Sequence, residues 1–157
     1  MPSPPPDRFT AAELAAAFDT VTGRWSAPSL FSQTKVHHGY RQVSVMVAGR
    51  WQIEALDWMV DRFAPALNVW MSRLEPGGYI VEHIDEGPYL ERWQVPFTTA
   101  GTLLHDGVPV PHEAGVPFRV AQFDWHSVSN DSNVDRVSLV IDRNIPLDVP
   151  SGRFRVR

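Results

Sequence analysis

From residue 68 onward the chain is a succession of short apolar–polar alternations cut by Pro76-Gly77-Gly78, Ala100-Gly101, Asp106-Gly107 and Ala114-Gly115-Val116-Pro117. That punctuation most constrains the fold, because period-two alternation between turn sequences specifies strands with one buried face. Strands are expected near 68–75, 79–85, 92–98, 101–105, 117–124, 126–130 and 135–142, with an earlier one from Gln42 to Val47. Two helices precede or interrupt them. Thr10 and Glu13 have capping-box spacing at the head of a helix running to Phe18. Ile53, Leu56, Met59, Val60 and Phe63 recur at helical spacing between Gln52 and Phe63, with Pro65 as the stop. Mainly β, with flanking helices on an outer face, is the expected class: a β-sandwich or jelly roll.

Length and composition bound the rest. A chain of 157 residues that is 43% hydrophobic suits one domain, with residues 1–9 as a disordered or extended arm and 10–157 as the fold. The start lacks the apolar segment of a secretory signal, no run of about 18 apolar residues is present, and cysteine is absent, so a cytoplasmic protein outside the membrane is expected. A formal net charge of −4 argues against nucleic acid as a partner, since phosphate neutralisation calls for a basic surface. The basic stretch Arg153–Arg157 is short enough to be a solvated tail. Oligomeric state is not legible.

Chemistry concentrates at His83-Ile84-Asp85. Residues two apart on a strand share a face, so His83 and Asp85 project together. His126 opens another expected strand. Two imidazoles and one carboxylate form the facial set of a non-haem iron(II) site, which leaves positions for co-substrate and dioxygen. A His-x-Asp pair is weak by itself in a chain with six histidines. Arg136 and Ser138 strengthen it. A turn at Ser129–Asn133 would fold 126–130 against 135–142, setting His126 across from Arg136 or Ser138, while Val137, Leu139 and Ile141 form the opposite, core-facing stripe. An inward arginine requires an anion. That anion is either a ligand carboxylate held by the guanidinium fork or an ion-pair partner, Asp131 or Asp135.

The stretches Leu74–Asp85, Glu91–Thr98, Phe123–Asn130, Arg136 and Leu139–Asp142 closely resemble the aspartyl/asparaginyl β-hydroxylase-like family, which includes bacterial proline hydroxylases. The resemblance covers about residues 68–143. It implies a double-stranded β-helix (a cupin-like jelly roll) that binds iron(II) and 2-oxoglutarate and uses O2 to hydroxylate a C–H bond, with succinate and CO2 as co-products. In its terms His83, Asp85 and His126 match the metal ligands and Arg136 the arginine on the distal 2-oxoglutarate carboxylate. Arg92 matches a second active-site arginine on a carboxylate of co-substrate or substrate, and Ser72 a serine assisting co-substrate binding. Gln94 stands where many members carry histidine; it donates a hydrogen bond but holds no charge.

A small amino acid-like molecule or a peptide is the substrate class the resemblance implies. Two rivals remain: a cupin-type metalloenzyme without 2-oxoglutarate, and a non-catalytic jelly-roll binding module. Among other conspicuous residues, His37, His38, His105 and His112 read as surface or loop positions, Trp51, Trp58 and Trp70 as core, and Trp93 and Trp125 as facing either the helix layer or the pocket. Glu86–Glu91, directly after the dyad, is a candidate lip over the site.

Overall fold

The computed structural model describes residues 8–27, 36–85, 91–120, 124–143 and 154–156, the last three as backbone. Residues 1–7 of the expected arm, residues 86–90 of the lip, 121–123 of the strand expected at 117–124, and Arg153 and Arg157 lie outside the described residues.

Helix α1 (Ala11–Val21) starts as its sequence dictates: Thr10 Oγ1 accepts from the Glu13 amide at 3.1 Å, and the Glu13 carboxylate accepts from the Thr10 amide at 3.2 Å. Phe9 is buried and stacks on Phe63, so this end of the expected arm is pinned to the domain. The second helix is broken into a 3₁₀ turn (Glu54–Leu56), a single α turn, α2 (Asp57–Val60), and a further 3₁₀ turn (Asp61–Phe63). Ile53, Leu56, Met59, Val60 and Phe63 are all buried as expected, but no side chain caps any of the three pieces, and short 3₁₀ turns are a common solution when a segment must turn within a few residues.

The strands are β1 (His37–Val47), β2 (Arg50–Trp51), β3 (Ala66–Asp85), β4 (Glu91–Pro96), β5 (Thr102–His105), β6 (Val108–Pro109), β7 (Phe118–Val120), β8 (His126–Ser129), β9 (Arg136–Arg143) and β10 (Phe154–Val156). All pair antiparallel. The expected strands 68–75 and 79–85 are one continuous strand, β3, running through Gly77-Gly78. One edge of β3 carries β1 and then β10, and the other carries β9 and then β8, so its first half belongs to the β1–β3–β9–β4–β7 array and its second half to β3–β8–β5–β6.

The expected β8–β9 hairpin is absent. β8 pairs with β3 and β5, and β9 with β3 and β4. Buried Asn130 explains the crossover. Its side-chain amide donates to Leu74 O and Val134 O, both at 2.8 Å, while its backbone exchanges bonds with Gly77 and Gly78 at 2.7 and 2.9 Å. The chain is thereby tied to the middle of β3 as it passes from one array to the other. The C-terminal stretch expected to be a solvated tail supplies β10, whose backbone pairs Phe154–Val156 against Asp85–His83.

Alternation sorts the first array into two faces. Val43, Val45, Val69, Met71, Val95, Val137, Leu139 and Ile141 pack with Leu14, Ala17, Val21, Leu56, Met59 and Phe63 into the main core. The helical layer therefore covers the outer face, and the inner face is left to line a cavity. Trp93 joins this core from its margin, whereas Trp58 is exposed and Trp70 turns into the cavity, so two of the three tryptophans expected in the core are elsewhere. No described helix is long and apolar enough to cross a membrane.

Arg143, at the end of β9, is buried and ties the helical layer to the sheet, donating to Phe63 O and Ala64 O at 3.0 Å each and to Glu91 at 3.2 Å. Removing one partner of a buried pair leaves the other uncompensated. Arg143→Leu is expected to cost about 3–5 kcal/mol in urea unfolding; a loss too small to resolve would show that water replaces these contacts.

Candidate metal centre

The cavity between the arrays has a volume of about 480 Å³, within the ordinary range for small-molecule sites. The inner-face residues of the first array fall into cross-strand rows set by register: Tyr40, Leu74 and Arg136; Gln42, Ser72 and Ser138; Ser44, Trp70, Val140 and Gln94; then Asn68, Asp142, Arg92 and Val120. The second half of β3 and β8 bring His83, Asp85 and His126 to the same cavity.

β3 and β8 place His83 directly opposite His126, with ring centroids 4.2 Å apart. In each ring Nδ1 lies against a backbone carbonyl two residues earlier, Val81 O at 2.7 Å and Asp124 O at 2.8 Å. That contact selects the tautomer protonated at Nδ1 and leaves both Nε2 lone pairs directed at Asp85, at 3.7 and 3.4 Å from its carboxylate oxygens. One ligand atom from each of the three residues lies within 4.8 Å of the others. Burial lowers the His83 pKa more than Asp85 raises it, which favours the neutral ring that a metal needs. Burial works to raise the Asp85 pKa, but the Arg92 guanidinium acts the other way, and the carboxyl is held well below the usual carboxylate range. Donor chemistry, tautomer and spacing all fit a divalent transition metal on two imidazoles and one carboxylate.

Arg136 sits in the same cavity, 4% exposed. It does not pair with Asp135, which is taken by Arg73 at 2.8 Å. Its contacts are long ones to neutral groups, Ser138 Oγ at 3.4 Å and Gln94 Oε1 at 3.5 Å, and its Nε has no hydrogen-bond partner among the described residues. Burial without a carboxylate pushes its pKa down to about 10. Gly101 makes room for it. An added Cβ there would stand 2.7 Å from Arg136 Cδ and 2.6 Å from Ser129 O, and the residue has φ +75°. Ser138 and Gln94 thus contact this guanidinium, whereas Ser72 sits across from Ser138 on the next row and its Oγ donates to Ser138 O at 3.4 Å.

Arg92 also enters the cavity, but Asp142 and Asp85 already hold it. Asp142 and Tyr40 are among the lining residues that sequence reasoning missed. Tyr40 is buried, which pushes its phenol up to about 12 and keeps it a neutral donor, and the Trp70 side chain hydrogen-bonds to it. A strand begun at His37 instead of Gln42 would have put Tyr40 in phase with Gln42 and Ser44. Asp142 shares the parity of Arg136 and Ser138, yet its partner comes from register with β4, which sequence does not reveal. His105 pairs with Asp124 at 3.0 Å, and with Asp106 makes a second, more exposed His/Asp group.

No protein-family model matches the sequence, and no curated protein matches it. Solved structures do resemble it in fold. A cupin-2 domain protein of Rhodospirillum rubrum superposes with a TM-score of 0.56 at 6% identity, covering 86% of this chain and 76% of that one. A cupin-like protein of Thermotoga maritima gives 0.52 at 12% identity, covering 80% and 82%. A DMSP lyase gives 0.54 at 12% identity, covering 85% of this chain and 61% of that one. The two curled arrays, the helices on one outer face and these likenesses together show the fold: a double-stranded β-helix, or cupin-like jelly roll.

Proposed function

We propose that the chain is an iron(II)- and 2-oxoglutarate-dependent oxygenase that hydroxylates a C–H bond of a small amino acid-like substrate or a peptide. The observation that carries this reading is Arg136, a buried guanidinium without a carboxylate partner among the described residues, in one cavity with a complete His-Asp-His ligand set. The resemblance of residues 68–143 to the aspartyl/asparaginyl β-hydroxylase-like family supports the same assignment.

His83, Asp85 and His126 would hold the metal on one face, leaving the cavity side open. Iron(II) bound there would supply activation of O2 and oxidative decarboxylation of 2-oxoglutarate to succinate and CO2. Arg136 would take the distal carboxylate through charge-assisted bonds, with Ser138, Gln94 and Ser72 supplying neutral contacts. The apolar walls, including Leu74, Leu103, Val128 and Val140, exclude water and strengthen that pair. Substrate C–H groups are presented from the remaining volume.

The test is succinate formation by the protein supplied with iron(II), ascorbate, 2-oxoglutarate and a pool of amino acids under air. Iron-dependent succinate is expected. No succinate, together with no binding of 2-oxoglutarate to metal-loaded protein, would overturn the reading. It would favour a cupin metalloenzyme that works without this co-substrate, a reading that the likeness to a DMSP lyase also supports.

A further inference from the structure

Arg92 has all three guanidinium nitrogens engaged. Nε and Nη2 form a fork on the two oxygens of Asp142, at 2.7 and 3.0 Å, and Nη1 donates to Asp85 Oδ2. The guanidinium also lies over the Trp70 ring, 5.0 Å from its centroid. A fork at one end and an aromatic face beneath leave one orientation for the planar group. In that orientation Arg92 holds Asp85 Oδ2, which lies 3.4 Å from His126 Nε2, and so fixes the carboxylate with Oδ1 toward His83 Nε2 at 3.7 Å. Asp142 is buried, and register places it directly across from Arg92.

We propose that Asp142 and Arg92 form a positioning relay for the metal-binding carboxylate of Asp85, and that Arg92 is thereby withheld from anchoring a substrate carboxylate. The inference rests on the metal-centre reading and departs from the role that the resemblance implies for Arg92. Two physical effects act in the same direction. Geometrically, Asp142 fixes the arginine that fixes Asp85; supporting partners of this kind orient a ligand before the metal arrives. Electrostatically, two carboxylates and one guanidinium leave a formal charge of −1 facing the imidazoles. Without the Asp142 charge the group is neutral, and the Arg92 charge opposes a dication on Asp85.

The experiment is titration of the metal-free full chain with Co(II) alone, followed by heat of binding and by the Co(II) d–d absorption, for the wild type, Asp142→Asn and Arg92→Lys. Asn keeps the volume of Asp142 and removes its charge; Lys keeps the charge of Arg92 and removes the fork. Both variants are expected to bind Co(II) about 10- to 100-fold more weakly, with a changed absorption envelope because the Asp85 carboxylate is no longer held. Circular dichroism of the metal-free variants separates this from unfolding, and either variant alone suffices if the other does not fold. Wild-type affinity together with a wild-type spectrum in a folded variant overturns the relay and leaves the metal centre standing. A wild-type chain that binds no Co(II) overturns both.

Discussion

Replacing Arg136 by methionine is expected to make the ligand-free protein more stable while removing its affinity for 2-oxoglutarate. Both signs come from the same fact. The guanidinium is 4% exposed, and its contacts are long bonds to Ser138 and Gln94 without a carboxylate among the described residues. A buried charge without a counter-ion destabilises the empty state, which is why burial pushes this pKa down to about 10. Methionine fills similar length beside Leu74, its register partner, in a cluster that already contains Tyr40, Leu103 and Val128. Replacing a buried ionic group by a packed apolar one commonly stabilises by about 1–4 kcal/mol, so a rise in the urea midpoint is expected. Losing the charged partner of a buried carboxylate costs about 2–5 kcal/mol, or roughly 30- to 5,000-fold in Kd. Isothermal titration of 2-oxoglutarate into metal-loaded wild type and Arg136→Met measures the second effect. A variant that is destabilised and still binds 2-oxoglutarate would show that Arg136 serves the fold and that the co-substrate assignment is mistaken.

That opposition of stability and binding bears on what the sequence could disclose. The convergence of His83, Asp85 and His126 was legible because its geometry is local: His83 and Asp85 share a strand face by period two, and His126 begins a strand. Arg136 was legible because an inward parity on a strand with a Val137-Leu139-Ile141 core stripe leaves a charge needing an anion. The helical layer was legible as an apolar periodicity, but its division into 3₁₀ and α turns was not, since the burial of Ile53, Leu56, Met59, Val60 and Phe63 is satisfied either way. Long-range pairing was the limit. A turn at Ser129–Asn133 suggests a hairpin, and only the tie between Asn130 and the Gly77-Gly78 stretch of β3 shows the chain crossing instead to the other array. The fork from Arg92 to Asp142 is hidden for the same reason, because it depends on the register of β4 against β9.

His126→Ala is expected to have the largest effect of any single substitution on metal binding, exceeding the roughly 100-fold that loss of a supporting partner gives, and to abolish iron-dependent succinate formation. The ring is held by Asp124 O at 2.8 Å and stands over His83, so its Nε2 is delivered to the metal position without reorganisation. Truncation removes one of three donors and leaves the Asp124 carbonyl without that partner, a cost of about 1–3 kcal/mol in stability. The protein should remain folded, and the vacated volume matches an imidazole molecule. Free imidazole added to the variant is therefore expected to restore part of the Co(II) binding, a recovery that a purely structural histidine would not show. His105 provides the comparison. It is the register partner of His126 on β5, paired with Asp124 at 3.0 Å and more exposed. His105→Ala is expected to leave Co(II) affinity and stoichiometry unchanged, because the converging Nε2 atoms belong to His83 and His126. Wild-type affinity in His126→Ala, or a matching loss in His105→Ala, would move the metal to the more exposed group of His105, Asp106 and Asp124 and separate it from the Arg136 cavity.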